Sequence, residues 1–387
     1  MTFVFLTNYM THHQLPLYTR LREALGEDLH LIVTDKMEKE RVDMGWSINA
    51  EEIPGYMYMD DDVEKAEKLI RECDVVLCGG ADDYFLRERL DRKAFTLRYY
   101  ERLFKDGYWH AFTPKAFSKN RNRHVRLKND PVYLLCAGAY VAHDFNLIGA
   151  YPDKKYKWGY FTEFIEYDEE KLKRKYRGET RILWTGRLID WKHPEHAVYA
   201  AAKCVKNGYD ITLTMIGEGE ESAKLDEMIK EYGLEGCVIR RPFIAPSEVR
   251  EEMLRSDIYL CTSDFKEGWG AVVNEAMNAG CAVVGSSGAG AVPFLLKHEV
   301  NGLVYPSGEK DILAEAVFAL CDDPSLRARF GLEAYRTIAS DWNPGKACKR
   351  LLKFCEAKLE GRDYTAETGP MSKAEVIRPK NGWMSCL

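Results

Sequence analysis

A chain of 387 residues is longer than one hydrophobic core usually serves, so two domains are expected, each large enough to bury a core of its own. Hydrophobic residues at 46% and charged residues at 30%, with aromatics at 12%, exclude the polar, aromatic-poor profile of disorder and any fibrous class. The formal net charge of −6 argues against a protein that coats nucleic acid, and no apolar run approaches the roughly 20 residues that span a bilayer.

The opening run Thr2 to Thr7 reads as a first buried strand: it is too short for a signal-peptide core and lacks a basic start and a small-residue cleavage site. Strands near 3–7, 29–34, 74–78 and 132–136 then alternate with helices near 14–25, 62–72 and 139–147. Between them Arg87 to Lys128 holds thirteen Lys/Arg against four Asp/Glu, interleaved with aromatics such as Tyr99, Trp109, Phe112 and Phe117. Cations and aromatics in such a mixture suit an anionic membrane surface, although a solvated basic helix with half of its rings in the core fits the same residues. Asp60-Asp-Asp62 precedes a helical pattern and is read as a capped, dipole-matched helix start rather than a metal motif.

Pro152, Gly159 and mixed charge interrupt the periodicity from Tyr151 to about Arg177, which places the join there and suggests domains of 1–165 and 166–342. From Arg181 the alternation is regular. Strands at Ile182 to Thr185, Ile211 to Ile216, Val238 to Arg240, Ile258 to Cys261 and Ala282 to Gly285 bracket helical patterns at 195–207, 221–232, 247–254 and 271–279. Strand–helix alternation of this kind means α/β domains with parallel, doubly wound sheets. Helices near 310–321, 324–338 and 345–359 follow, the last of them within a segment 343–361 expected to pack back toward the N-terminal domain. Residues 362–387, with Gly369-Pro370 and Pro379, read as a loosely held tail.

Eleven cysteines, an odd number with no close repeated pair, lie mostly inside apolar runs and suggest reduced thiols and a cytoplasmic protein, with a peripheral position at the inner face of a membrane as a further expectation. His193 and His196 have a ligand-like separation, but no cysteine or further histidine is near them in sequence, so a zinc site is not expected. Gly285 to Gly290 has the wrong glycine order for a dinucleotide fingerprint.

The chemistry concentrates in two loops. Phe265 to Gly280 lies just past a strand, at the carboxyl end where such sheets bind ligands. Gly268 and Gly270 let the backbone approach a ligand, and the helix that follows offers free N–H groups and a positive dipole end to a phosphate. A carboxylate would repel that phosphate, so Glu267 and Glu275 are assigned to hydroxyls, for which carboxylates are good acceptors. A solvated helix-start glutamate and a surface pair is the plainer reading of the same two residues. Trp184 to Pro194 ends another strand and carries Arg187 and Lys192, two cations suited to a diphosphate leaving group unless they are ordinary surface charges.

Gly186-Arg-Leu with Lys192, Ile216-Gly-Glu-Gly219, the Glu267/Glu275 pair in its glycine-rich setting, and Asn301-Gly-Leu-Val304 occur in one order. Together they resemble glycosyltransferase family 4, closely from about Arg181 to Ser340 and by topology alone before that. The resemblance implies two facing Rossmann-like domains of the GT-B type with a deep cleft between them. It implies that Gly186, Arg187 and Lys192 bind a nucleotide-diphosphate sugar, Glu275 the ribose, and catalytic Glu267 the transferred sugar, with backbone amides of Gly268, Trp269 and Gly270 against sugar and phosphates. It further implies a hexose-type sugar, retention of anomeric configuration without a metal or other cofactor, and a lipid-linked or polysaccharide-precursor acceptor of cell-envelope biosynthesis. A nucleotide-sugar epimerase and an inactive donor-binding scaffold are the competing readings.

Two loops depart from the family. Thr7 to Gln14 stands where members carry a glycine-rich loop, and Cys78-Gly-Gly-Ala-Asp-Asp83 follows a middle strand where many carry a histidine. His12, His13, Asp82 and Asp83 are therefore candidate acceptor-side groups, with a structural role as the alternative for each.

Overall fold

The computed structural model describes residues 1–39, 42, 48–174, 176 and 179–380. The last seven residues of the expected tail, and Arg177 at the end of the expected join, lie outside the described residues.

The chain forms two compact units, the first comprising Met1–Glu163 and Asn343–Arg378 and the second Phe164–Trp342. The first contains strands β1 (Phe3–Thr7), β2 (Leu29–Val33), β3 (Tyr56–Tyr58), β4 (Val75–Gly79), β5 (Thr96–Tyr100), β6 (Val132–Ala137) and β7 (Lys155–Trp158). They pair in the order β3-β2-β1-β4-β5-β6-β7, every neighbour parallel. Its helices are α1 (Leu15–Leu25), α2 (Val63–Glu72), α3 (Arg87–Asp91), α4 (Pro114–Arg123) and α5 (Val141–Leu147). Continuous apolar strands such as Phe3-Val-Phe-Leu are buried along their length, as a parallel sheet covered on both faces requires.

The second unit opens with α6 (Glu169–Arg174), followed by β8 (Thr180–Thr185), α7 (Pro194–Lys206), β9 (Ile211–Ile216), α8 (Ser222–Glu231), β10 (Val238–Arg241), α9 (Pro246–Arg255) and β11 (Ile258–Cys261). It continues through α10 (Ala271–Asn278), β12 (Ala282–Ser286), α11 (Val292–Leu295), β13 (Leu303–Tyr305), α12 (Lys310–Asp322) and α13 (Pro324–Ser340). Its six strands pair in the order β10-β9-β8-β11-β12-β13, again all parallel. Both sheets are thus Rossmann-like. In each, strand order reverses beside the first strand, between β1 and β4 and between β8 and β11, which opens a crevice at the strands' carboxyl ends.

Four strands lie outside the sequence expectations, β3, β5, β7 and β13. β5 places Arg98 at its centre, fully buried, and β7 alternates lysine with aromatics, so neither shows an apolar run. β3 and β13 have three residues each, too few to show a period.

The last helix, α14 (Pro344–Leu359), belongs to the first unit, where Phe354 packs 4.8 Å from Tyr156 and 5.1 Å from Tyr133 between ring centroids. The segment after it is not loosely held where it is described. Met371 N–H donates to Lys157 O at 2.9 Å, Lys157 N–H to Ser372 O at 2.8 Å and Ala374 N–H to Lys155 O at 3.1 Å, and Met371 is fully buried. The edge strand β7 leaves backbone groups unpaired, and this segment satisfies them as an antiparallel bridge. Among the described residues no helix is long and apolar enough to cross a membrane.

Candidate active site

In the second unit the loops leaving β8 and β11 flank the point where strand order reverses, and three hydrogen bonds join them. Trp184 Nε1 donates to Thr262 Oγ1 at 2.8 Å, Thr262 Oγ1 donates to Lys192 O at 2.6 Å, and Asp264 N–H donates to Trp191 O at 2.9 Å. Lys192 Nζ then lies 2.7 Å from Glu267 Oε2, both side chains largely out of solvent, and Ser263 Oγ donates to the same carboxylate oxygen at 3.2 Å. The sequence-predicted cation and acid are therefore brought together across 75 positions of chain.

Glycines set this geometry by what they leave out. A Cβ on Gly186 would stand 3.2 Å from Lys192 Cδ, and one on Gly217, at φ +141°, would overlap Gly186 O at 1.9 Å. Gly186 N–H donates to Ile216 O at 3.0 Å, so the β8 and β9 loops lie in direct backbone contact. Arg187, exposed, places its guanidinium carbon 5.9 Å from the centre of the Trp191 ring, and Lys192 Nζ stands 5.0 Å from the same ring. Trp191, which sequence reasoning passed over, is thus a shared face for both cations.

The β11 loop runs through Gly268, buried, to Trp269, fully buried with its Nε1 donating to Asn274 Oδ1 at 2.8 Å. Gly270 caps α10 in the left-handed region at φ +93°, and Glu267 Cγ would meet a Cβ there at 3.5 Å. The free N–H groups at the start of α10 consequently lie beside Glu267. Glu275 sits a turn further along α10, buried; desolvation pushes its carboxyl up to about 7, with Arg250 pulling weakly the other way. A carboxyl poised near neutrality can both accept and donate hydrogen bonds, which suits a diol.

His193, next to Lys192, enters the sequence reading only as a zinc-ligand candidate that is set aside. It caps α7 in the left-handed region at φ +46°, with Nδ1 at 3.0 Å from Glu195 Oε1 and Nε2 at 3.8 Å from Asp264 Oδ2. These two carboxylates push its pKa up to about 9, Asp264 first, so the ring is an imidazolium tying α7 to the β11 loop. His193, Glu195 and His196 offer ligand atoms within 4.8 Å of one another. The two imidazole rings nevertheless stack 4.7 Å apart at 8°, so their lone pairs run along parallel planes instead of meeting at one point.

In the first unit the loops after β1 and β4 occupy the matching position. His12 and His13 follow β1, their ring centroids 3.8 Å apart, and His13 helps line a small hollow with Gln14, Tyr99, Trp158 and Tyr160. Gln14 Nε2 donates to Tyr99 OH at 2.8 Å and Gln14 Oε1 accepts from Thr11 N–H at 3.1 Å, which fixes that loop without a glycine. Asp82 accepts from Tyr84 N–H at 2.8 Å as the cap of a short turn. Asp83 is clamped by Arg98 and Arg123, one oxygen to each. Burial would raise its carboxyl, but the two guanidinium groups outweigh that and hold it at about 2. Asp82 is thus an exposed turn cap and Asp83 a partner of two arginines.

Residues 167–337 match the family model described as "Glycosyl transferases group 1". Over 191 residues the chain is 28% identical to an amylovoran biosynthesis glycosyltransferase of Erwinia amylovora, 48% of this chain and 47% of that one. It is 29% identical over 160 residues to a 2-deoxystreptamine glucosyltransferase of Streptomyces kanamyceticus, covering 40% and 41%. The chain spans about half or less of the length of the curated relatives it matches. Among solved structures, Anabaena HepE in complex with UDP superposes with a TM-score of 0.70 at 15% identity over 92% of this chain and all of that one. Sucrose-phosphate synthase of Thermosynechococcus elongatus gives 0.64 at 15% identity over 93% of this chain and all of that one. The fold therefore matches that of GT-B glycosyltransferase structures, and residues 167–337 are similar to the group 1 glycosyltransferases.

Proposed function

We propose that this chain is a glycosyltransferase that moves a hexose-type sugar from a nucleotide-diphosphate sugar to a saccharide, lipid-linked or polysaccharide-precursor acceptor, with retention of anomeric configuration and without a metal. The observation that carries the reading is the Lys192–Glu267 pair, 2.7 Å apart where the β8 and β11 loops meet, beside the start of α10. Similarity to two sugar transferases, and to HepE with its bound UDP, supports the donor class.

In this reading Arg187 and Lys192 meet the two phosphates, with the α10 N–H groups adding partial positive charge where the leaving diphosphate gains negative charge. Glu275 holds the ribose diol, and Glu267 a hydroxyl of the transferred sugar. Gly186, Gly268, Trp269 and Gly270 bring backbone close to the ligand. The bond from the sugar's anomeric carbon to the phosphate oxygen breaks, the acceptor oxygen bonds to that carbon on the same face, and its proton passes to the departing phosphate. His12 and His13 stand for acceptor contacts in the first unit. A scan of nucleoside-diphosphate sugars by thermal shift identifies the donor, and NMR of the product reads the anomeric configuration; an inverted product, or activity lost on chelation, overturns those parts of the scheme. Formation of a new nucleotide sugar from donor alone would replace transfer with epimerisation.

A further inference from the structure

The basic excess noted between Arg87 and Lys128 divides sharply in three dimensions. Arg89, Arg98 and Arg102 are buried and spend their donors on backbone carbonyls, tyrosine hydroxyls and Asp83 or Asp144. The segment from Tyr108 to Lys128 behaves differently, with six Lys/Arg and no Asp/Glu. On α4 Lys115, Lys119 and Arg121 are exposed and form no ion pair with a described residue. In the same segment Trp109, Phe112 and Phe117 are 65%, 71% and 65% exposed, three large rings within nine positions. Solvent-facing rings so close together are unusual on a surface that is not used.

The support beneath this patch is rigid. Thr113 Oγ1 accepts from Ala116 N–H at 3.3 Å to cap α4, and at its other end Arg98 Nη1 donates to Arg123 O at 2.7 Å while Arg123 itself grips Asp83. Gly107, at φ +121°, turns the chain into the Trp109 segment, and a Cβ there would sit 3.1 Å from Trp109 Cδ1.

We propose that Trp109, Phe112 and Phe117, with Lys115, Lys119 and Arg121, form a docking surface for an anionic lipid bilayer. Charge complementarity selects this occupant: in a chain of net charge −6 the segment from Tyr108 to Lys128 carries six Lys/Arg and no Asp/Glu. Two of the three rings are phenylalanines, which enter an interface without needing a hydrogen-bond partner, while tryptophan suits the headgroup level. The surface needs no sugar transfer to act, so it stands or falls apart from the reaction.

Co-sedimentation of the full chain with phosphatidylcholine vesicles, with and without phosphatidylglycerol, tests it. Binding to the anionic vesicles is expected to exceed binding to neutral ones by at least about ten-fold and to weaken with salt. Lys115→Glu/Lys119→Glu/Arg121→Glu and, separately, Trp109→Ser/Phe112→Ser/Phe117→Ser should each cut anionic-vesicle binding by about ten-fold or more with unchanged thermal melting. Equal recovery with both vesicle types, undiminished binding in both variants, or tighter binding to single-stranded RNA than to anionic vesicles would overturn the proposal.

Discussion

Glu267 and Glu275 lie on one helix and the loop before it, yet their surroundings give them different chemistry. Glu267 shares an oxygen with Lys192 and Ser263, so it is held as a positioned acceptor. Replacing it with alanine is expected to lower transfer by about a hundred- to a thousand-fold while donor binding, read by calorimetric titration, changes far less. Glu275 is desolvated, and its carboxyl rises from 4.5 to about 7. The folded state therefore holds a proton that the unfolded chain releases from about pH 4.5 upward, so this stabilisation is present at low pH and lost as pH rises toward 7. Its upper limit is about 3 kcal/mol. Thermal melting of Glu275→Gln should consequently decline less between pH 5 and pH 8 than melting of the native chain, and parallel curves would contradict the desolvated carboxyl. Gly217→Ala is a third test at this scale. Its Cβ would overlap Gly186 O at 1.9 Å, with φ +141° adding strain of about 1–3 kcal/mol, so it should lower both the melting temperature and donor affinity.

At the scale of elements, the buried cluster of the first unit shows how a polar network can hold a helix in place. Arg98 projects from β5 to Asp83 after β4, to Tyr100 and Tyr151, and to the end of α4 through Arg123 O. Beside it His124 is held down to about 3 by burial and by the Arg98 charge, and so stays neutral. Asp83 has a lowered pKa, so its contribution to stability is present above about pH 4 and is lost as pH falls toward 2. Asp83→Asn should cost about 3–5 kcal/mol at neutral pH by leaving buried Arg98 without its counter-charge, and denaturant melts would also show a weaker acid dependence between pH 4 and pH 2. Little of this was legible from sequence. An arginine at the centre of a strand reads as a surface residue until its partners, 15 and 25 positions away, are known.

For the whole molecule, two units with separate cores should melt in two calorimetric steps, and a nucleotide held by the β8 and β11 loops should raise only the step that belongs to Phe164–Trp342. At a hundred times its dissociation constant the ligand adds about 2.7 kcal/mol to that unit. A single transition shifted as one would show that the units unfold together.

The sequence alone determined the α/β class, the strand–helix alternation and nearly every element of the second unit, because apolar strands buried on both faces and amphipathic helices write their periods directly into the chain. It also singled out Arg187, Lys192, Glu267 and Glu275, since glycine-rich loops after strands carry a local signature. Only the tertiary structure decided that Lys192 pairs with Glu267, that Trp191 backs both cations, that Asp83 belongs to a clamp, and that the segment around Met371 completes the edge of β7. Each of these joins residues far apart along the chain through contacts with no period, and only folding creates them.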